Sequence, residues 1–196
     1  MNLTLPFFII NVYKLLNLIY NTFVMNTLNS FTIRHPYPHE EGQTIFVREK
    51  AWLSAYSNIF SEQEIKQFFQ DKKNNPNYRK NNLEKITNIN YFAGCLNNQL
   101  VAIMQLKLEP DAEGKGELIC FYCLPEYQRK GVGTKLFNFA KNQFILAGLK
   151  SFKVEILKEN KIGTSFYIKQ GGKLISSRNK LYLGKDLTFV TFEFVL

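Results

Sequence analysis

The sequence is poor in cysteine, histidine and tryptophan, with three, two and one respectively in 196 residues. Cys95, Cys120 and Cys123 form no disulfide framework, which fits a reducing compartment and a cytoplasmic protein. Cys120 and Cys123 have the spacing of a redox or zinc motif, but they sit in an apolar run of strand length. Residues three apart on a strand point to opposite faces, so both read as core or backbone-contact positions. His35 and His39 flank Pro36-Tyr37-Pro38 with no cysteine or carboxylate cluster beside them; they read as loop histidines, and no metal site is expected. No Gly-x-x-x-x-Gly-Lys-Ser/Thr occurs, and the third-glycine position after Gly131-x-Gly133 is Leu136, so neither a P-loop nor a dinucleotide fingerprint is supported. Internal repeats and long low-complexity tracts are missing as well.

Acidic residues are the scarcer charge: 25 Lys and Arg against 16 Asp and Glu leave a net charge of +9. That balance suits an anionic cofactor, nucleic acid or an acidic membrane surface, and equally a solvated Lys- and Asn-rich surface. A hydrophobic content of 45% with 15% aromatics implies a packed core, and the length suits one domain. Leu5 to Met25 stand apart, being strongly apolar with Asn11, Lys14, Asn17 and Asn21 spaced to share a helical face. A basic start and a small-residue cleavage site, the marks of a secretory signal, are not evident, and Lys14 with the asparagines disfavours a membrane span. Three readings remain: an interfacial membrane anchor, a helix packed on the domain or a partner, and an extension upstream of a start at Met25. We favour the last, with residues 1–25 as an extension and residues 31–196 as the domain.

Along the domain, Phe31 to Arg34 reads as a first strand and residues 42 to 56 as a helix with Ile45, Trp52, Leu53 and Tyr56 near one face. Ser61-Glu62-Gln63-Glu64 is a capping box that starts a second helix, with Ile65, Phe68 and Phe69 inward. Asp71 to Asn82, polar and broken by Pro76, reads as a solvated loop; its Lys72, Lys73, Arg79 and Lys80 lack the aromatic platform of a nucleic-acid site beyond Tyr78. Tyr91 to Leu96 and Gln99 to Leu108 form a hairpin about Asn97-Asn98, and Pro110 to Gly116 makes the next turn. Leu118 to Leu124 is a buried strand ended by Pro125. Val132, Leu136, Phe139, Ala140, Phe144 and Ala147 recur at helical spacing, with Gly148 as the cap. Then come a half-buried strand about Phe152, Val154 and Ile156, and a short helix from about Asn160 to Gln170 stopped by Gly171-Gly172. Strands follow at Leu174-Ile175, Leu181 to Leu183 and Leu187 to Leu196, with turns at Arg178-Asn179 and Gly184-Lys185. The order describes a mixed α/β layer around one mostly antiparallel sheet.

Gln128-Arg129-Lys130-Gly131-Val132-Gly133-Thr134 therefore joins a buried strand to the start of a helix. Backbone N–H groups there lack intrahelical partners and the helix dipole is positive, which favours an anion. Gly131 and Gly133 leave room for close approach to the backbone, and Arg129 and Lys130 add charge, so the expected ligand carries a pyrophosphate.

This stretch resembles the acyl-CoA pyrophosphate loop, Gln/Arg-x-x-Gly-x-Gly/Ala, of the GCN5-related N-acetyltransferase (GNAT) family. Asn160, Phe166-Tyr167 and Gly171-Gly172 resemble that family's second block, Asn, Tyr, Gly-Phe, at the right separation, with Gly172 where the family most often has Phe. The resemblance spans residues 31 to 196 and implies the GNAT fold and transfer of an acetyl group from acetyl-CoA to a primary amine in a ternary complex, without a metal. It implies that the backbone of Phe121, Tyr122 and Cys123 holds the pantetheine arm, that Gln128 to Thr134 hold the pyrophosphate, and that Asn160 contacts the cofactor. The sheet is expected to splay after residue 123, where Pro125 cannot donate to a ladder. Tyr167 matches the family's catalytic tyrosine and is the candidate general acid; by residue chemistry alone it is equally a core tyrosine. Glu155, five residues before Asn160, and Glu117 are the rival general bases. Trp52 and Tyr56 would wall the acceptor pocket or simply belong to the core. The acceptor is expected to be a small amine rather than a protein, nucleic acid is disfavoured, and a homodimer is admitted. The rival classes are an inactive acyl-CoA sensor and a basic protein that binds nucleic acid or membrane surfaces.

Overall fold

The computed structural model describes residues 31–75 and 89–196, so the expectations for residues 1–30, Tyr78, Arg79 and Lys80 lie outside the described residues. Strand β1 (Phe31–Arg34) leads into helices α1 (Glu41–Ala55) and α2 (Glu62–Asn74). Strands β2 (Ile89–Leu96), β3 (Gln99–Lys107) and β4 (Gly116–Cys123) follow, then α3 (Val132–Leu146), β5 (Ser151–Leu157), α4 (Lys161–Lys169), β6 (Lys173–Tyr182) and β7 (Lys185–Val195). The described strands form one seven-stranded sheet in the order β1-β2-β3-β4-β5-β7-β6, antiparallel except for β4 with β5. No helix among the described residues is long and apolar enough to cross a membrane.

Local chemistry accounts for most boundaries. The Ser61 hydroxyl accepts from the Glu64 N–H while the Glu64 carboxylate accepts from the Ser61 N–H at 2.7 Å, closing the expected capping box. Asn97 and Asn98 both take positive φ, 49° and 65°, as a tight hairpin with the strand twist requires. Helix α2 continues through Asp71-Lys72-Lys73-Asn74, where a loop was expected. Side-chain bonds one turn apart, from Gln67 to Asp71 at 2.7 Å and from Gln70 to Asn74 at 3.2 Å, support those polar residues in helical form. Strand β6 is likewise unbroken across Arg178-Asn179, where a turn was expected. Both polar residues have cross-strand partners: Arg178 pairs with Glu155 of β5, and Asn179 accepts from the Thr188 hydroxyl at 2.9 Å.

Two apolar clusters sandwich the sheet. On one face α3 and α4 pack Leu136, Phe137, Ala140, Phe144 and Tyr167 against Phe152, Val154 and Phe194. On the other, α1 and α2 bury Trp52, Tyr56, Ile65 and Phe69 with Phe60 and Leu157. The glycine that replaces the family's phenylalanine has a partner that explains it. A Cβ at Gly172 would lie 2.6 Å from Cζ of Phe194 and 3.0 Å from the Tyr167 carbonyl oxygen, and Phe194 stacks on Phe152 at 4.8 Å. The aromatic volume thus comes from β7 instead of from residue 172. Adding one methyl there, Gly172→Ala, overpacks the site and is expected to cost about 1–3 kcal/mol, read as a lowered urea midpoint with unchanged slope.

Candidate active site

The site begins with an irregularity in β4 that alternation alone does not show. Gln105 of β3 faces Cys120 and Leu106 faces Leu118, so Ile119 is an extra, unpaired residue. The bulge reverses the alternation of β4. Before it, a Cβ on Gly116 would meet Phe144 of α3. After it, Cys120 and Tyr122 face α1 while Phe121 faces α3 and α4, stacked on Phe166 at 5.5 Å and edge-on to Phe137 at 6.2 Å. Strand β5 pairs with β4 only at Gly116–Phe152 and Glu117–Lys153, then stays on β7 through Leu157. The sheet therefore forks from residue 118, six residues earlier than expected, and the bulge rather than Pro125 marks the divergence. On the β5 side of the fork, Leu118 to Cys123 present main-chain groups outside the β4–β5 ladder, a strand edge that can take a peptide-like ligand.

At the open end lies the Gly loop. Gln128 donates from Nε2 to the Cys123 carbonyl at 3.1 Å, tying the loop to the strand. Arg129 and Gly131 have positive φ, 58° and 84°; only Gly131 does so at no steric cost, and a non-glycine residue held there marks a built site. Lys130 lies with Nζ 5.8 Å from the Tyr127 ring centroid. The Lys135 N–H bonds the Gly131 carbonyl, so the amides of Val132, Gly133 and Thr134 have no intrahelical acceptor and form the positive end of a four-turn helix. One expectation is corrected. A Cβ on Gly133 would point into the protein, 3.4 Å from Phe166, at an ordinary contact distance, so this glycine does not clear space for a ligand and alanine would fit.

On the α1 face, three side chains one helical turn apart meet β4 twice and then the cap of α4. Arg48 donates from Nη2 to the Cys120 thiol at 3.6 Å, Trp52 donates from Nε1 to the Tyr122 hydroxyl at 3.1 Å, and the Tyr56 hydroxyl accepts from Asn160 Nδ2 at 3.2 Å. Asn160 also caps α4, its Oδ1 accepting from the Gly163 N–H at 2.8 Å. Trp52 and Tyr56 are each 7% exposed and pack within the cluster. Tyr122 is the half-buried wall that Trp52 supports. Burial pushes the Tyr56 phenol up to about 12 and that of Tyr122 well above its ordinary value. Tyr167, buried among Phe121, Phe137, Phe192 and Phe194, is also raised by burial, then by Tyr56 and Cys120. Those two groups belong to the α1 face, whereas the Tyr167 ring packs in the cluster under α3.

The two rival bases sit differently. Glu155 accepts from Arg178 Nε at 2.6 Å and is bonded by Lys180, so an amine would have to displace a cation to reach it. Glu117 lies at the closed end of the fork, opposite Lys153. Neither cysteine is poised for chemistry: burial raises the Cys120 thiol, and burial with Glu126 pushes the Cys123 thiol up to about 12. His35 bonds the Tyr91 carbonyl through Nδ1 at 2.7 Å and His39 stacks on Tyr37. Among the described residues no three His, Cys, Asp or Glu side chains gather as a metal would need. Sequence reasoning missed the bulge and Arg48; the recurrence of Arg48, Trp52 and Tyr56 every four residues was the available signal for Arg48.

A family model described as the acetyltransferase (GNAT) family matches residues 38–171. The chain belongs to this family. It is an acyltransferase by that membership and by its relatives. It is 25% identical to spermidine N(1)-acetyltransferase of Thermoplasma acidophilum over 132 residues, 66% of this chain and 80% of that protein. The fold is shared with the PaiA N-acetyltransferase of T. acidophilum solved with coenzyme A, at a TM-score of 0.66 and 24% identity over 82% of this chain and 98% of that one. It is shared too with the YncA acetyltransferase of Salmonella typhimurium solved with acetyl-CoA, at a TM-score of 0.59 and 13% identity over 85% and 94%. Because burial raises the Tyr56, Tyr122 and Tyr167 phenols, the unfolded chain releases their protons first. Stability is expected to fall as pH rises above about 10, by up to about 1.4 kcal/mol per pH unit for each phenol until that phenol ionises in the folded state, measured by urea denaturation.

Proposed function

We propose that the protein transfers an acetyl group from acetyl-CoA to a small primary amine, directly, in a ternary complex. The observation that carries this reading is the fork: an open strand edge, at Leu118 to Cys123, leads straight to a helix N-terminus with unpartnered amides. A thiol-terminated arm with two amide groups suits the edge, and a pyrophosphate suits the loop of Gln128 to Thr134. In the reaction, the amine nitrogen attacks the thioester carbon, an N–C bond forms, the C–S bond breaks, and the thiolate leaves with a proton. A main-chain N–H of Phe121 to Cys123 would donate to the carbonyl oxygen as it gains charge.

Tyr167 is the proton donor in this scheme. Its phenol is raised by burial, but the departing thiolate is desolvated in the same place and its proton affinity rises with it. The ammonium's proton leaves through water, since Glu155 is held by two cations and Glu117 lies at the closed end of the fork. The small size of the acceptor is supported by a clasp over its side of the site. Lys185 of β7 donates to the Ile59 carbonyl at 2.8 Å and pairs with Glu64 at 3.0 Å, drawing the β6–β7 hairpin onto the α1–α2 connection.

Calorimetric titration of acetyl-CoA is expected to show micromolar binding, about −8 kcal/mol. Gly131→Glu should abolish it, whereas Gly131→Asn, which tolerates the left-handed backbone, should keep most of it. A folded protein that binds no acetyl-CoA would sink the proposal. Tyr167→Phe should lower kcat about a hundredfold or more with the KM for acetyl-CoA unchanged. Full turnover in that variant would leave Tyr167 a core residue.

A further inference from the structure

The acceptor side of the fork is walled by rings and rimmed by cations. Strand register places Leu157 opposite Phe189, and Phe189 opposite Arg178, so these three share the face on which Tyr122 meets Trp52. Trp52 is the hub of that wall, with ring centroids 5.2 Å from Tyr56, 6.1 Å from Phe60 and 6.2 Å from Tyr182. The cluster already draws ammonium groups. Lys72 lies 4.2 Å from the Phe68 ring centre, Lys180 4.7 Å from Phe189 and Lys185 4.9 Å from Phe60. Three lysines from three elements thus rest on ring faces of one cluster, as the ring quadrupole favours.

The carboxylates of this face are engaged. Glu155 is held by Arg178 and Lys180, Glu64 by Lys185, and Glu49 by Lys73 at 3.3 Å. Burial and then the charge of Arg48 push the Lys72 amine down to about 8. One buried carboxylate oxygen has no partner among the described residues: Oε2 of Glu159, in the turn just before Asn160. That group can serve one ammonium, not a row of them.

We infer that the acceptor is a monoamine carried on an aromatic or flat apolar body, and that linear polyamines are rejected. The inference rests on reading the fork as the acyl-transfer site. A single ammonium can exchange water for ring faces and the Glu159 oxygen, with its apolar body stacked against Tyr122, Tyr182 and Phe189. The second and third ammonium groups of a polyamine would meet a rim on which Arg178 and Lys180 outnumber the one Glu155 carboxylate they share, and to which Lys72 adds charge. In this respect the chain departs from the relative whose name specifies spermidine.

Trp52 is the chain's only tryptophan, so its emission in the full-length protein reads this wall directly. Titration with phenethylamine should perturb that emission with a dissociation constant at least about tenfold below that for spermidine. Spermidine binding as tightly or more tightly overturns the inference, and so does the lack of a response to either amine. These titrations need no acyl donor. A failure to bind acetyl-CoA, which would sink the proposed function, is read separately by calorimetry. In the Arg178→Gln/Lys180→Gln variant, spermidine should bind at least about fivefold tighter while phenethylamine stays within about twofold. Unchanged spermidine binding there would show that the rim charges do not select the amine.

Discussion

One extra residue in one strand sets the site. Ile119 has no partner across β3, and its insertion turns Cys120 and Tyr122 toward α1 and Phe121 toward α3 and α4. Had β4 kept its alternation, Tyr122 would face the ring cluster under α3, and Trp52 would have lost its acceptor. The same insertion accompanies the loss of pairing to β5 from residue 118 onward. The fork and the allocation of side chains to its two sides therefore have a common origin, and a register change of one residue would undo both.

Helix α1 then acts as a ruler laid across the fork. Arg48, Trp52 and Tyr56 rise one turn at a time and meet Cys120, Tyr122 and Asn160 in sequence. The first two contacts lie on β4 and the third beyond the end of β5, so the helix spans the gap between the diverging strands. The Asn160 contact also reaches α4 through its cap, linking the Trp52 ring cluster to the helix that carries Tyr167. Each of these polar contacts contributes only about 1 kcal/mol net. Their weight lies in position: an unsatisfied partner in so dry a cluster costs more than the bond contributes, which discourages other registers of the helix.

Elements with a strong local signal were legible in the sequence. The Ser61 capping box, the Asn97-Asn98 turn and the run from Val132 to Gly148 each carry their own chemistry in a few adjacent residues. The Gly loop was legible for the same reason, although a Cβ on Gly133 would turn toward Phe166. Features that depend on distant partners were not. Arg178-Asn179 reads as a turn until Glu155 and Thr188 are placed beside it, and Asp71 to Asn74 reads as loop until Gln67 and Gln70 supply their bonds. The bulge left no local mark, because Ile119 is as apolar as its neighbours. Glu155 matched a family position, yet its two cations come from a strand that begins 18 residues later, so its engagement could not be read locally.

The three phenols show how burial and chemistry are reconciled. A dry site weakens an acid, which argues at first against a buried tyrosine as a proton donor. Burial raises the two strand thiols as well, and Glu155, paired with two cations, is held as a carboxylate with no proton to give. Two phenols are further specialised. Tyr56 and Tyr122 each accept a hydrogen bond from a fixed N–H, of Asn160 and Trp52, so one lone pair of each oxygen is occupied. Their own protons remain to be donated, and the ammonium of an acceptor finds only the remaining lone pair. The Tyr167 ring lies on the other face, its centroid 6.5 Å from that of Phe121. A thiolate forming between the strands would meet Tyr167 on the side away from the amine. In the proposed reaction the proton given to the leaving group and the proton lost by the nucleophile would travel on opposite faces of the sheet, with the bulge at Ile119 between them.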